Sequence, residues 1–183
     1  MLPPPTPEGA AALRERISLI KSELAQGQSA LRAAYEANDN APRLLRGRCQ
    51  LVDGVLKSLW QDARLPPGLC LVAVGGYGRR ELYPASDIDL LFLLPDNVTQ
   101  ATERQLEALI GRLWDIGLDI GHSVRTVWQC LDEASRDITV QTNLLESRLI
   151  CGSRSLYADF AGKIRAQIDP KAFFKNKRLE QDE

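Results

Sequence analysis

VAVGGYGRRELYPASDIDLLFLLPD, residues 72–96, decides the fold. Two apolar runs flank a glycine cluster, Gly75, Gly76 and Gly78, and Asp87 and Asp89 sit inside the second run. Short apolar runs bounded by Gly and Pro read as buried strands. Residues 69–74 are therefore expected to form one strand, stopped by Gly75-Gly76, and residues 87–94 another, stopped by Pro95 and Asp96. Side chains two apart in a strand share a face, so Asp87 and Asp89 present their carboxylates side by side while Ile88 and Leu90 point to the core.

Upstream, Leu13, Ile17, Ile20, Leu24, Leu31 and Tyr35 recur at mostly helical steps after a proline-rich leader (residues 1–8). This predicts a helix over residues 8–37, interrupted at Gly27. A second helix is expected over residues 41–63, ended by Pro66-Pro67-Gly68. Downstream, Asn97 or Thr99 caps a helix running to residue 116, with Leu106, Leu109, Ile110, Leu113 and Trp114 as its buried stripe. A strand follows over residues 120–127, then helices over 128–135, 138–150 and 153–168, and a last one from residue 170. That last segment runs off without a glycine cap or a proline stop, the pattern of a chain cut within a helix. The order is that of an α+β fold with a small sheet. Three regions are expected: a leader with helices (residues 1–64), the strand-bearing core (65–150) and the start of a helical region (151–183).

Composition narrows the function classes. The 183 residues are 44% hydrophobic and 26% charged, ordinary values for a chain that folds. A net charge of −1 provides no field for a long nucleic acid. Neither a secretory signal nor an apolar run long enough to span a bilayer is evident, so no membrane is expected and a cytoplasmic location is. The four cysteines, Cys49, Cys70, Cys130 and Cys151, are widely spaced and accompanied by one histidine, His122. They read as reduced thiols rather than as metal ligands or a disulfide framework. Core packing is expected for Trp60, Trp114 and Trp128. A solvated basic face is expected for Arg43, Arg46 and Arg48.

Two adjacent carboxylates repel and raise one pKa unless a cation lies between them. Hard oxygen ligands on one rigid element suit Mg²⁺, which completes its shell with waters and substrate phosphates. Gly75 and Gly76 let the backbone approach an anion closely, Gly78 allows the following turn, and Arg79 and Arg80 lie within reach for neutralisation. An Asp-x-Asp alone reads as a strand edge, and a Gly-Gly alone is commoner still. Together, at this spacing and between two strands, they point to a metal-dependent nucleotidyl transfer site. No Gly-Lys-Ser/Thr follows, which excludes a P-loop, and the third glycine of a dinucleotide fingerprint is missing.

Gly75-Gly76 with Asp87-x-Asp89 resembles the DNA polymerase β-like nucleotidyltransferase superfamily. More narrowly, GGYGRRELYPASDIDLLFL, LWDIGLDIGHSVRT and DITVQTNLLESRLICGSRSLY resemble the N-terminal part of the bacterial PII uridylyltransferase/uridylyl-removing enzymes. The resemblance implies the small mixed sheet of that superfamily, with N-terminal helices and a C-terminal helical segment. It implies transfer of UMP from UTP to a tyrosine of the PII signalling protein with release of pyrophosphate. Asp87 and Asp89 would be the catalytic metal ligands, with Mg²⁺ as cofactor, and Gly75, Gly76, Arg79 and Ser86 the nucleotide-binding residues. Arg80 stands where family members often have glycine. The third carboxylate usual in the superfamily has no counterpart within GHSVRT, and Asp119 is the nearest acid. His122 reads as a hydrogen-bonded strand residue, and Arg125 as reaching nucleotide or pairing with Asp119. With one histidine, the chain does not carry the His-Asp pairs of the family's hydrolytic domain. The alternatives are a nucleotide- or partner-binding module of the same fold without turnover, and a related adenylyltransferase.

Overall fold

The computed structural model describes residues 7–167. The leader (residues 1–6) and the helix expected from residue 170 lie outside the described residues. In chain order the elements are α1 (Pro7–Asn38), α2 (Ala41–Ala63), β1 (Cys70–Ala73), the single helical turn α3 (Gly75–Gly78), β2 (Ile88–Leu94) and α4 (Gln100–Asp115). There follow β3 (Ile120–Thr126), α5 (Val127–Arg136), α6 (Ile138–Leu145), β4 (Arg148–Gly152) and α7 (Arg154–Gln167). The strands form one sheet in the order β3-β2-β1-β4. Antiparallel pairing joins β1 to β2 and to β4. Ile88 N–H, at the start of β2, donates to Asp119 C=O, just before β3 (2.9 Å). These two strands therefore start from the same end, with α4 as the crossover between them, and the sheet is mixed. The fold is α+β, as expected.

The residues divide into two compact units. The first comprises, among the described residues, 7–66, 80–89 and 99–121. Here Ile20 and Leu24 of α1, Cys49, Val52, Leu56 and Leu59 of α2, and Leu106, Leu109 and Leu113 of α4 are buried, with Leu82, Ile88, Ile116 and Leu118. Contrary to expectation, α1 runs unbroken through Gly27. A Cβ on Gly27 would lie 2.6 Å from a methyl of Leu51, so this glycine marks a close approach of α2 rather than a break. Asn40 caps α2 by accepting from Arg43 N–H (2.9 Å), and Arg64 ends it in the left-handed conformation (φ 48°). Arg16 on α1 reaches Asp62 (3.1 Å) and Ser58 on α2. Thr99, not Asn97, caps α4 by accepting from Thr102 N–H. Trp114 is 62% exposed. It sits one residue, about 100°, past Leu113 on the helical wheel, which turns it away from the buried stripe.

The second unit comprises, among the described residues, 67–79, 90–98 and 122–167. Every residue of β1 is buried, as its uninterrupted apolar sequence requires of a strand paired on both edges. Cys70, Val72, Leu91 and Leu93 join Val127 and Cys130 of α5, Leu144 of α6, and Phe160, Ala161 and Ile164 of α7 in one core. Leu90, Phe92 and Leu94 are buried as well, so β2 is covered on both faces from Leu90 onward. Trp128 is 68% exposed, so the expected core packing fails there as at Trp114; Trp60 is half-buried. A capping box at Thr126 and Gln129 starts α5 with its side chains placed ahead of the core stripe.

The helix expected over residues 138–150 stops at Leu145, and Arg148–Gly152 is a fourth strand. Leu144, Leu145 and Leu149 continue a helical spacing, but pairing along β1, from Ala73↔Arg148 to Cys70↔Gly152, overrides it. Cys49, Cys70 and Cys130 are buried and Cys151 is half-buried, all as free thiols. Burial pushes Cys70 and Cys130 up to about 12, so they stay protonated and unreactive.

Gly152 closes β4 at φ 95°, and a Cβ there would lie 2.4 Å from Leu69 C=O and 2.6 Å from Cys70 Cα. Neither backbone atom can yield without moving β1. Gly152→Ala is expected to lower unfolding free energy by roughly 2–4 kcal/mol. Urea denaturation monitored by circular dichroism measures it.

Candidate active site

Ser86, Asp87 and Asp89 belong to the first unit. Asp87 is exposed and lies just ahead of β2, one residue short of the strand expected to hold it. Asp89 is half-buried within β2, and Ser86 is exposed, its N–H closing a turn on Tyr83 C=O (3.0 Å). Burial, and then the charge of Asp87, raise the Asp89 pKa above the ordinary carboxylate value. On the neighbouring strand, an atom added as Cβ of Gly121 would lie 2.7 Å from Asp89 Oδ1. Asp89 thus occupies the space that any other residue at position 121 would fill.

A divalent metal fits this donor set. The two carboxylates are hard oxygen ligands, their mutual repulsion is what a cation relieves, and Mg²⁺ takes one or two carboxylates with substrate phosphates. Among the described residues no group of three His, Cys, Asp or Glu side chains gathers as a metal site. Asp119 is exposed, and its carbonyl serves the β2 start.

Gly75, Gly76 and Arg79 belong to the second unit. The glycines do not form an open loop but the helical turn α3, entered at Gly75 with φ 57°, a conformation suited to glycine. Gly78 N–H donates to Val74 C=O (3.0 Å) and Arg79 N–H to Gly75 C=O (3.1 Å). A Cβ on Gly78 would come within 1.9 Å of Glu146 C=O, so Gly78 serves backbone approach. Arg79 forms an ion pair with Glu146, which follows α6. Tyr77 is buried, with the Arg148 guanidinium 5.2 Å from its ring centroid and Arg148 Nη2 reaching its carbonyl (3.4 Å). The turn is therefore pinned from α6 and β4.

Glu146, Arg148 and Gly121 were not legible as site-forming residues. The only signal for the first two was a charged pair interrupting the apolar LLESRLI run. The imidazole of His122 meets Phe92 edge-on at 6.4 Å, a packing contact. Arg125 pairs with Glu133 (3.5 Å), a partner not among those expected of it.

Over 94% of this chain, the bifunctional uridylyltransferase/uridylyl-removing enzyme of Aromatoleum aromaticum is 48% identical. The chain is a homologue of one segment of these enzymes. The enzyme of the same name from Nitrosospira multiformis is 46% identical over 90% of the chain. The chain spans about a fifth of the length of these curated relatives, 20% and 19%. No protein-family model matches it. Among solved structures, a chain from a crystal structure of a toxin-antitoxin with AMP-PNP aligns with 71% of this chain and 95% of its own, at TM-score 0.41 and 17% identity.

Because the folded state raises the Asp89 pKa, it binds that proton more tightly than the unfolded chain does. The ionised carboxylate therefore lowers stability above the raised pKa, and the penalty vanishes below the unfolded value. Asp89→Asn is expected to stabilise the metal-free chain at neutral pH, with the gain fading as pH falls through the raised pKa. Thermal melts across a pH series test the sign. Gly121→Ala should keep the fold while displacing the Asp89 carboxylate, and a Mn²⁺ titration should show weaker binding.

Proposed function

We propose that this chain is the nucleotidyl-transferring segment of a PII uridylyltransferase, carrying UMP from UTP to a tyrosine of the PII protein. The observation that carries this reading is the Asp87/Asp89 pair, with Asp89 held half-buried against Gly121 in a chain 48% identical to one bifunctional uridylyltransferase/uridylyl-removing enzyme. In the reaction the tyrosine oxygen forms a bond to the α-phosphorus as the bond to pyrophosphate breaks.

Asp87 and Asp89 hold Mg²⁺. When bound, the ion supplies charge neutralisation of the triphosphate and of the developing leaving group. Gly75 and Gly76 take the triphosphate along their backbone. Arg79, tied to Glu146, keeps the turn in shape and adds positive charge beside it. Ser86 ends the turn that precedes Asp87. UTP and PII are thus the proposed partners, and the cytoplasm the proposed location. Among the described residues no helix is long and apolar enough to cross a membrane.

A second reading is nucleotide or partner binding without turnover. Calorimetry with UTP and Mg²⁺ separates these from an incidental Asp-x-Asp. Binding is expected to require the metal and to fall by at least about tenfold in Asp87→Asn and in Asp89→Asn. Unchanged binding in both would remove the site. Pyrophosphate release with UTP and PII then distinguishes transfer from binding alone.

A further inference from the structure

Three arginines on α2 were expected to form one solvated face, and they part company. Arg43 and Arg46 are exposed, whereas Arg48 is half-buried, its pKa lowered by burial. Arg48 Nε donates to Leu82 C=O (3.1 Å), and its Nη2 reaches Pro84 C=O (3.4 Å). All of these residues, with Ser86, Asp87 and Asp89, belong to the first unit.

The segment before Asp87 has little regular structure to hold it. Arg80 sits at φ 65°, Pro84 has no N–H to donate, and a turn from Tyr83 to Ser86 (3.0 Å) leads directly into Asp87. Order on the downstream side begins with Ile88 N–H bonded to Asp119 C=O. Asp87 therefore hangs between the turn and the first strand bond. The buried side chain of Leu82, 1% exposed, and the Arg48 fork on the carbonyls of residues 82 and 84 both tie that turn down.

We infer that Arg48 is a positioning residue for the carboxylate pair, fixing the 82–86 turn against α2 and so the direction in which Asp87 leaves it. This rests on the reading of Asp87 and Asp89 as metal ligands. The planar guanidinium suits the task because two of its donors reach two carbonyls two residues apart at once. An ammonium, a compact charge on a flexible stem, does not hold that fork. The part-buried bond from this charged donor to Leu82 C=O also satisfies an acceptor that the irregular loop would otherwise leave to water.

The test uses the 183-residue chain, a calorimetric Mn²⁺ titration in the presence of UTP, and amide hydrogen exchange without metal. Arg48→Ala is expected to weaken Mn²⁺ binding by about tenfold, the scale of losing a group that orients a metal ligand. It should also speed exchange at the Ser86 and Ile88 amides while unfolding stays cooperative. Arg48→Lys should fall between the two. Unchanged Mn²⁺ affinity in Arg48→Ala, with binding lost in Asp87→Asn, overturns the role of Arg48 and leaves the carboxylate site standing. Binding indifferent to Asp87→Asn removes the carboxylate reading, and this inference with it. Should Arg48→Ala lose its cooperative transition, Arg48→Lys decides: parent-level affinity and exchange overturn the inference, and weakened affinity in a cooperatively folded chain supports it.

Discussion

Burying one carboxylate beside another is unfavourable, and the strand that carries Asp89 is arranged around that constraint. Asp89 stands in a row of β2 that continues through Leu91 and Leu93, both fully buried, so its desolvation follows from its place in the strand. Asp87, two residues earlier and exposed, adds like charge. What makes room for the half-buried Asp89 carboxylate is the absence of a side chain at Gly121. Asp89 thus combines a raised pKa with a place kept open by a glycine on the neighbouring strand.

The glycine turn obeys a different constraint. Val74-Gly75-Gly76-Tyr77-Gly78 must leave a fully buried strand at once, and it does so as one helical turn entered through a positive φ. Its rigidity comes from residues far along the chain: the Glu146 carbonyl over Gly78, the Glu146 carboxylate on Arg79, and Arg148 over Tyr77. The ion pair with Glu146 holds the Arg79 side chain at the end of the turn.

Much of the fold could be read from local pattern because it is locally determined. The bounds of α2, the cap of α4 at Thr99 and the start of β3 follow from helical periodicity, side-chain capping and glycine punctuation, all interactions within a few residues. Errors fell where tertiary contacts decide. LLESRLI has a helical spacing, yet its second half pairs with β1. The indoles of Trp114 and Trp128 are apolar but face outward, since helix phase and the neighbouring elements, not hydrophobicity alone, set which face is covered. Gly27 looked like a helix break and proved to be a point of close helix contact.

By itself, the sequence determined the α+β class and the two strands around the glycine cluster, because short apolar runs bounded by glycine and proline suit buried strands; it expected Asp87 inside the second strand, and the structure has it just ahead of β2. Tertiary structure alone decided that Gly121 faces Asp89, that Glu146 and Arg148 hold the glycine turn, and that Arg48 leaves its basic neighbours to grip the loop ahead of Asp87. Each of these joins residues separated by 32 or more positions. No local propensity encodes such partners; they exist only once sheet pairing and helix packing bring distant backbone together.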